Sequence, residues 1–481
     1  MALGARLGRW IGQSVVDSAG RLVLQIGSTA ILARTLPPET FGAMAVAWSV
    51  VMVPFVLVSA PFEEAIVQRP VLRRTHLRAA LALSLGFGLV LAAVVAAVAL
   101  ALPPVLSGGV GALVALGALA IPLGAFRAVQ TGLARRHGRF GAIAGANLLS
   151  SALGILVATG LVLLGWGAPA LILLQVITHL TFPVLLALLH RPPPMPWLHG
   201  AQARDFARFA TFVALERALE SLTIAVFNAL AGSLFGLTVL GWLNMALRVV
   251  EPLRGVAMAV AHNISFSHFS RMRGPGDHLA RAVAEGMVGT AALTTPAFLG
   301  ILATATPLLA LVAGSGWEVS ALLVVFWALS AALRLPQQLI FSGLAAVGRP
   351  EYALWSNLLF LGAVLALVFL SRDQGALGLG IAQLGAVGLE SVFALVWARR
   401  VLGVRLASLV VDLARIAALA GLMVGAVLAA DHHLPTDFAP VLRLLVEVPL
   451  GISVYALALF TFDRRRFRDL LRLVRKPKTG F

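Results

Sequence analysis

Between about residue 12 and residue 462 the chain reads as fourteen apolar stretches, and the short polar loops that join them alternate in charge. A helix needs about 20 apolar residues to cross a ~30 Å hydrocarbon core. The stretches at 12–34, 40–61, 79–102, 109–130, 140–164, 168–190, 207–232, 237–262, 280–304, 318–345, 350–371, 376–398, 406–430 and 440–462 all meet that length. Every second loop is rich in arginine. Segments 1–11, 61–79, 126–139, 191–208, 271–281, 347–352, 398–405 and 464–478 hold 28 of the 37 basic residues, the opposite loops hold only Arg34 and Arg372, and seven lie inside spans. Basic residues in short loops are retained in the cytoplasm. The pattern predicts a multi-pass membrane protein with both termini cytoplasmic, and it supports the span count, because one missed helix would scramble the alternation.

A chain that is 60% hydrophobic and only 12% charged is excluded from the soluble globular class, where about 25% of residues are charged. Its net charge of +17 would suggest nucleic acid in a soluble protein. Here the basic residues sit at the cytoplasmic rim, where anionic headgroups attract them, and no nucleic-acid partner is expected. The absence of cysteine rules out disulfides and thiolate chemistry. No metal or cofactor is expected: Asp431-His432-His433 lacks a third histidine at ligand spacing, and Gly375–Gly380 lacks the lysine of a phosphate-binding loop. The first residues carry no cleavable signal pattern. Every loop is too short to be a catalytic domain, so the chain reads as a non-enzyme.

The longest hydrophilic break, Arg191–Asp205, is proline-rich and follows the sixth span. It separates two halves that resemble each other. His137–Leu149 aligns with Gly348–Leu359 at an offset of 210, with Gly138/Gly348, Arg139/Arg349 and Asn147/Asn357 coincident. Phe41–Pro54 aligns with Leu240–Pro252 in the second span of each half. Parallel repeats of this kind belong to transporters, with substrate held between the halves. The predicted fold is all-α: two pseudo-symmetric six-helix bundles, residues 1–200 and 201–403, followed by two extra helices and a basic cytoplasmic tail, residues 404–481. The run Asp463–Lys478 reads as an interfacial helix.

The stretch Ile31–Leu81 contains ARTLPPETFG after the first span and AIVQR at the end of the second. These motifs, with the GRF turn at Gly138–Phe140, resemble the oligosaccharide flippases, the polysaccharide-exporter branch of a superfamily that also holds multidrug extruders and the lipid II flippase. One departure is Pro61-Phe62-Glu63-Glu64, where relatives carry small residues. The resemblance implies alternating access that moves a polyprenyl-pyrophosphate-linked oligosaccharide from the cytoplasmic to the periplasmic leaflet, for O-antigen, exopolysaccharide or capsule. It also implies membrane lipids as partners, H⁺ or Na⁺ as candidate coupling ions, and a polysaccharide polymerase or export machinery as neighbours. The alternatives on the same architecture are a cation-coupled multidrug antiporter and the lipid II flippase. A membrane-bound glycosyltransferase would need larger loops.

Charges inside membrane spans usually face a bundle interior or water-filled cavity. Span one carries Asp17 and Arg21, span seven Glu216, Arg217 and Glu220, span eight Arg248, Glu251 and Arg254, and span ten Arg334. On the functional reading Arg21, Arg217, Arg248, Arg254 and Arg334 line a cationic cavity that grips pyrophosphate. Asp17, Glu216, Glu220 and Glu251 then balance the charge or carry a coupling ion. On the structural reading, pairs such as Asp17/Arg21 and Arg248/Glu251 neutralise each other. Asp412/Arg415 and Arg443/Glu447 read as end-of-helix pairs, and Glu390 as a helix-packing carboxylate.

Overall fold

The computed structural model describes residue 20 and residues 22–69, 71–72, 74–101, 110–190, 221–269, 277–435, 438–464 and 466–468. Among them all regular structure is helical. In order the helices are α1 (Leu22–Ala33), α2 (Pro38–Gln68), α3 (Arg74–Ala101), α4 (Gly111–Ala118), α5 (Ala120–Arg136), α6 (Phe140–Leu163) and α7 (Ala168–His190). Then come α8 (Ser221–Phe235), α9 (Leu237–Phe269), α10 (Asp277–Ala303), α11 (Ala305–Ala313), α12 (Glu318–Ala346) and α13 (Glu351–Leu370). After a 3₁₀ turn at Arg372–Gln374 follow α14 (Gly375–Leu402), α15 (Leu406–His433) and α16 (Pro440–Phe462). Without water to satisfy backbone amides, helices are the form that such apolar stretches take in a membrane. Eleven candidate spans among the described residues are long and apolar enough to cross; α1 and α8 are shorter apolar helices.

Sequence and structure differ at three elements. The expected eighth span, α9, carries Arg248, Glu251 and Arg254 and is not among the eleven candidates. The fourth span is interrupted at Leu119 and runs on to Arg136, past its expected end at residue 130. The short helix α11 was not expected. Its nine residues are apolar but cover only about 14 Å at 1.5 Å per residue, too little to cross, and it packs instead against α12 and α16.

The chain forms two compact units, one up to Asn244 and one from Met245. The expected boundary at residues 200/201 lies outside the described residues. In the first unit α5 is central, packing on α2, α3 and α7, while α6 pairs with α7. Phe62, Ile66, Leu77, Val129 and Leu133 fill the α2–α3–α5 seam. In the second unit α12 packs on α10 and α14, and α13 pairs with α14. The helices α15 and α16 pair with each other and join this unit through α10 and α11. Tyr455 on α16 donates its hydroxyl to the Ala292 carbonyl of α10 at 2.9 Å. Leucines such as Leu156, Leu188, Leu370 and Leu457 face outward, as lipid-facing side chains do when the solvent is hydrocarbon.

The repeat is visible in backbone detail. At the end of α5, Gly138 has φ 67°, and the Arg139 amide bonds the Ala134 carbonyl at 2.9 Å. At the end of α12, Gly348 has φ 79°, and the Arg349 amide bonds the Leu344 carbonyl at 2.9 Å. Both are the left-handed glycine stop that satisfies orphan helix carbonyls, 210 residues apart.

A second glycine pair serves close approach. A methyl group on Gly42 of α2 would land on the Leu237 carbonyl at the start of α9, and one on Gly241 of α9 would land on the Pro38 carbonyl at the start of α2. The second spans of the two aligned segments therefore meet backbone to backbone at their first turns.

Candidate functional site

Of the nine residues singled out in the sequence, four are described: Arg248, Glu251 and Arg254 on α9 and Arg334 on α12. Asp17, Arg21, Glu216, Arg217 and Glu220 lie outside the described residues.

The 33-residue helix α9 runs unbroken through Pro252. With 100° per residue, Asn244, Arg248, Glu251 and Arg254 fall within an arc of about 120°, one polar stripe along the otherwise apolar stretch 239–261. Glu251 does not take Arg248 as its partner, as the structural reading expected. It takes Arg254, whose Nη2 lies 2.7 Å from Oε2 and whose Nε donates to both carboxylate oxygens at 3.0 and 2.8 Å. The two side chains are 46% and 41% exposed, so this ion pair remains accessible. Arg248 stands nearly two turns before Arg254 on the same stripe.

Arg334 is held differently. Its Nε lies 2.8 Å from Oε2 of Glu390 on α14, and its Nη2 donates to Oε1 at 3.2 Å. Ser356 on α13 donates to the same Oε1 at 3.2 Å, and the guanidinium lies 4.2 Å from the centre of the Phe360 ring. Glu390 is therefore more than a packing carboxylate: it is the counter-ion of Arg334. One turn along α12, the buried Gln337 accepts from Ser391 of α14 at 2.8 Å. The result is a polar layer through α12, α13 and α14.

The first unit holds a corresponding layer that the sequence reading missed. Arg127 on α5 donates to Oδ1 of Asn147 on α6 at 2.8 Å and lies 3.2 Å from Nδ1 of His179 on α7. Its guanidinium stacks 3.8 Å over Phe182. A guanidinium only donates, so His179 turns the lone pair of Nδ1 toward it. The His179 ring is flanked by Phe55 and Trp48, with centroids at 4.6 and 6.0 Å. Adding 210 to positions 127, 147 and 179 gives 337, 357 and 389, and the second layer uses 334, 356 and 390. Arginine, small polar residue and ring or carboxylate recur on corresponding helices, within one turn. Arg127 lies in the basic segment 126–139, so loop charge alone does not single it out. Its place inside the expected span 109–130 is the available signal.

Glu63, from the unusual Pro61–Glu64 segment, is answered by Arg135 of α5 at 2.7 Å. Next to it Arg136 places its guanidinium on the last carbonyls of α2, including those of Ile66 at 3.2 Å and Arg69. The expected end-of-helix pairs are exchanged in the structure. Arg443 pairs with Asp431 at 2.8 Å, and Asp412 pairs with Arg466 at 2.6 Å. Residues 431 and 466 reach these partners because α15 and α16 pack on each other, with the end of each beside the start of the other. Beyond Arg468 the proposed interfacial segment lies outside the described residues.

Apolar helices of membrane-crossing length in two units, each threaded by an arginine-centred polar layer, define a multi-pass all-α membrane protein. The family model described as polysaccharide biosynthesis protein matches residues 31–322, and the chain belongs to that family. It is 25% identical to the succinoglycan biosynthesis transport protein ExoT of Rhizobium meliloti (strain 1021), over 98% of this chain and 96% of that protein. Its fold is similar to that of the lipid II flippase MurJ in an inward closed conformation, with a TM-score of 0.74 at 13% identity over 96% of this chain and all of that one. An inward-facing multidrug transporter of the MATE family shares the fold with a TM-score of 0.59 at 15% identity, covering 81% of this chain and 95% of the other.

Proposed function

We propose that this protein translocates a polyprenyl-pyrophosphate-linked oligosaccharide from the cytoplasmic to the periplasmic leaflet by alternating access, as a step in surface polysaccharide biosynthesis. Family membership supports the polysaccharide setting, and likeness to a succinoglycan transport protein along nearly the whole chain supports transport. The observation that carries the substrate chemistry is the stripe on α9. Arg254 is already forked onto a carboxylate, in the geometry that also suits a phosphate, and the pair is accessible enough for a pyrophosphate to displace Glu251. Arg248 supplies a second guanidinium on the same face. Arg21 and Arg217 complete the grip, with Arg334 as a further contributor. Asp17, Glu216, Glu220 and Glu251 keep the empty site near neutrality or carry a coupling ion, H⁺ or Na⁺.

On this reading residues 1–200 and 201–403 act as the two lobes, residues 404–481 are an addition to the second, and both termini are cytoplasmic. A polysaccharide polymerase is the natural consumer of the product. A lipid II flippase would use the same pyrophosphate chemistry, whereas a drug antiporter has no need of clustered arginines.

The test is replacement of the chromosomal copy by Arg248→Ala or Arg254→Ala. Each charged hydrogen bond lost is worth about 1.5–3 kcal/mol, roughly a ten- to hundredfold weakening. Surface polysaccharide should fall and the lipid-linked precursor should accumulate, with inserted protein unchanged. Arg372→Ala, in an exposed turn beside Asp373, is the control. Normal export in both α9 variants would remove the grip from this helix.

A further inference from the structure

The two last helices carry an ionisable cluster that the transport reading does not use. Near the segment joining them, Arg443 of α16 donates from Nη1 to Oδ1 of Asp431 on α15 at 2.8 Å and from Nη2 to the Pro435 carbonyl at 2.9 Å. One turn further along α16 stands Glu447, only 1% exposed. Both its carboxylate oxygens are enclosed, and neither has a hydrogen-bond donor among the described residues. The carboxyl faces Asp431 and Arg443.

An ionised carboxylate in this position would be costly. Burial without donors is unfavourable for any charge, and Arg443 is already engaged by Asp431 and a backbone carbonyl. Among the described residues, Arg443 is the one cation that acts on this carboxyl. The helix α11 has no ionisable side chain, and those of α10 (Asp277, His278, Arg281 and Glu285) lie in its first nine residues. On α15 the neighbours of Asp431 are the exposed His432 and His433, while Asp412 and Arg415 are near the opposite end. On α16 itself Arg443 is the one basic residue. Asp437 lies outside the described residues. Among the described residues no set of three or more metal-ligating side chains is gathered.

One proton satisfies the geometry. Placed on Glu447, it turns an acceptor-only group into a donor toward the Asp431 carboxylate, and Asp431 keeps Arg443. We propose that Asp431 and Glu447 form a proton-binding pair, positioned by Arg443, through which the last two helices couple transport to a proton gradient. The pair rests on the transport reading for its purpose, not for its chemistry. With the proton bound, the cluster of Asp431, Arg443 and Glu447 is neutral. On release the proton passes from Glu447 by way of Asp431, whose side chain is 34% exposed, to water at the end of α15, and the cluster becomes net negative. A buried uncompensated charge loosens the contact of α16 with α15. Eight residues further on, about 12 Å along the helix, α16 holds α10 through Tyr455, so a shift of α16 is felt in the second unit.

The first measurement uses the full-length protein in lipid nanodiscs and needs no substrate; the second adds a lipid-linked oligosaccharide. Infrared difference spectra are recorded between about pH 5 and about pH 9, a range spanning ordinary and buried carboxyls. The expected result is a protonated-carboxyl C=O band that titrates in the wild type, vanishes in Glu447→Gln and shifts in Asp431→Asn. Spectra of Glu447→Gln and Asp431→Asn that both match the wild type would overturn the pair. Asp431→Asn also serves if Glu447→Gln fails to insert. In proteoliposomes with a pH gradient imposed in either direction, the wild-type translocation rate should respond to the gradient and that of Glu447→Gln should not. An unchanged response in the variant overturns the coupling role. A titrating band in a protein that moves no lipid-linked oligosaccharide counts against the transport reading and leaves the proton pair standing.

Discussion

At the scale of single residues, the two arginine-centred layers separate a scaffold role from a substrate role. Arg334 and Glu390 are 56 positions apart in sequence, and nothing in local spacing pairs them. Their burial makes the pair asymmetric in its consequences. Removing one partner strands a charge and costs about 3–5 kcal/mol, while removing both can be nearly neutral. Arg334→Ala should therefore lower the melting temperature of the purified protein, and Arg334→Ala with Glu390→Gln should recover most of the loss. If Arg334 also contacts substrate, the recovered double variant stays defective in export, and full recovery of both makes it a scaffold. The sequence made the intramembrane charges legible, because arginine in an apolar run stands out. It did not reveal which of them meet, since Arg127–His179 and Arg443–Asp431 are contacts of tertiary packing, and local i+3 and i+4 spacing pointed to other partners.

At the scale of elements, the contact between α2 and α9 is set by the absence of a side chain. Helices without a hydrophobic drive between them associate where small residues let backbones approach, and Gly42 and Gly241 meet carbonyls directly. Gly42→Ala and Gly241→Ala should each destabilise the protein by about 1–3 kcal/mol, the usual range for overpacking. Gly160→Ala, whose added methyl meets open space, should leave thermal stability in detergent unchanged or slightly higher. Equal melting temperatures for all three would contradict the close approach. These glycines sit in the second aligned segment pair, yet alignment alone gave them no meaning; the turn glycines Gly138 and Gly348 were legible as repeat markers. Gly165 and Gly375, which share the same 210-residue offset and both have positive φ, went unnoticed, because the residues around them differ between the halves.

At the scale of the whole molecule, hydropathy was enough to fix the membrane class, because it acts at every crossing. The short helix α11 was invisible to it, being apolar but too short to count as a span. The loop charges predict topology. Reporter fusions after Arg136, Arg204 and Arg273 should read as cytoplasmic and those after Gly314 and His432 as periplasmic; one inverted fusion in mid-chain would break the alternation. The central claim is movement of a lipid pyrophosphate from one leaflet to the other. Its most direct test is reconstitution of the purified protein into vesicles carrying a lipid-linked oligosaccharide, with a membrane-impermeant oxidant scoring how fast the inner-leaflet sugar becomes accessible. The wild type should expose it far faster than protein-free vesicles, with Arg248→Ala slowed about ten- to a hundredfold and a sugar-free, phosphate-free lipid left unmoved. Exposure no faster than in empty vesicles, or equal movement of the phosphate-free lipid, would contradict the account.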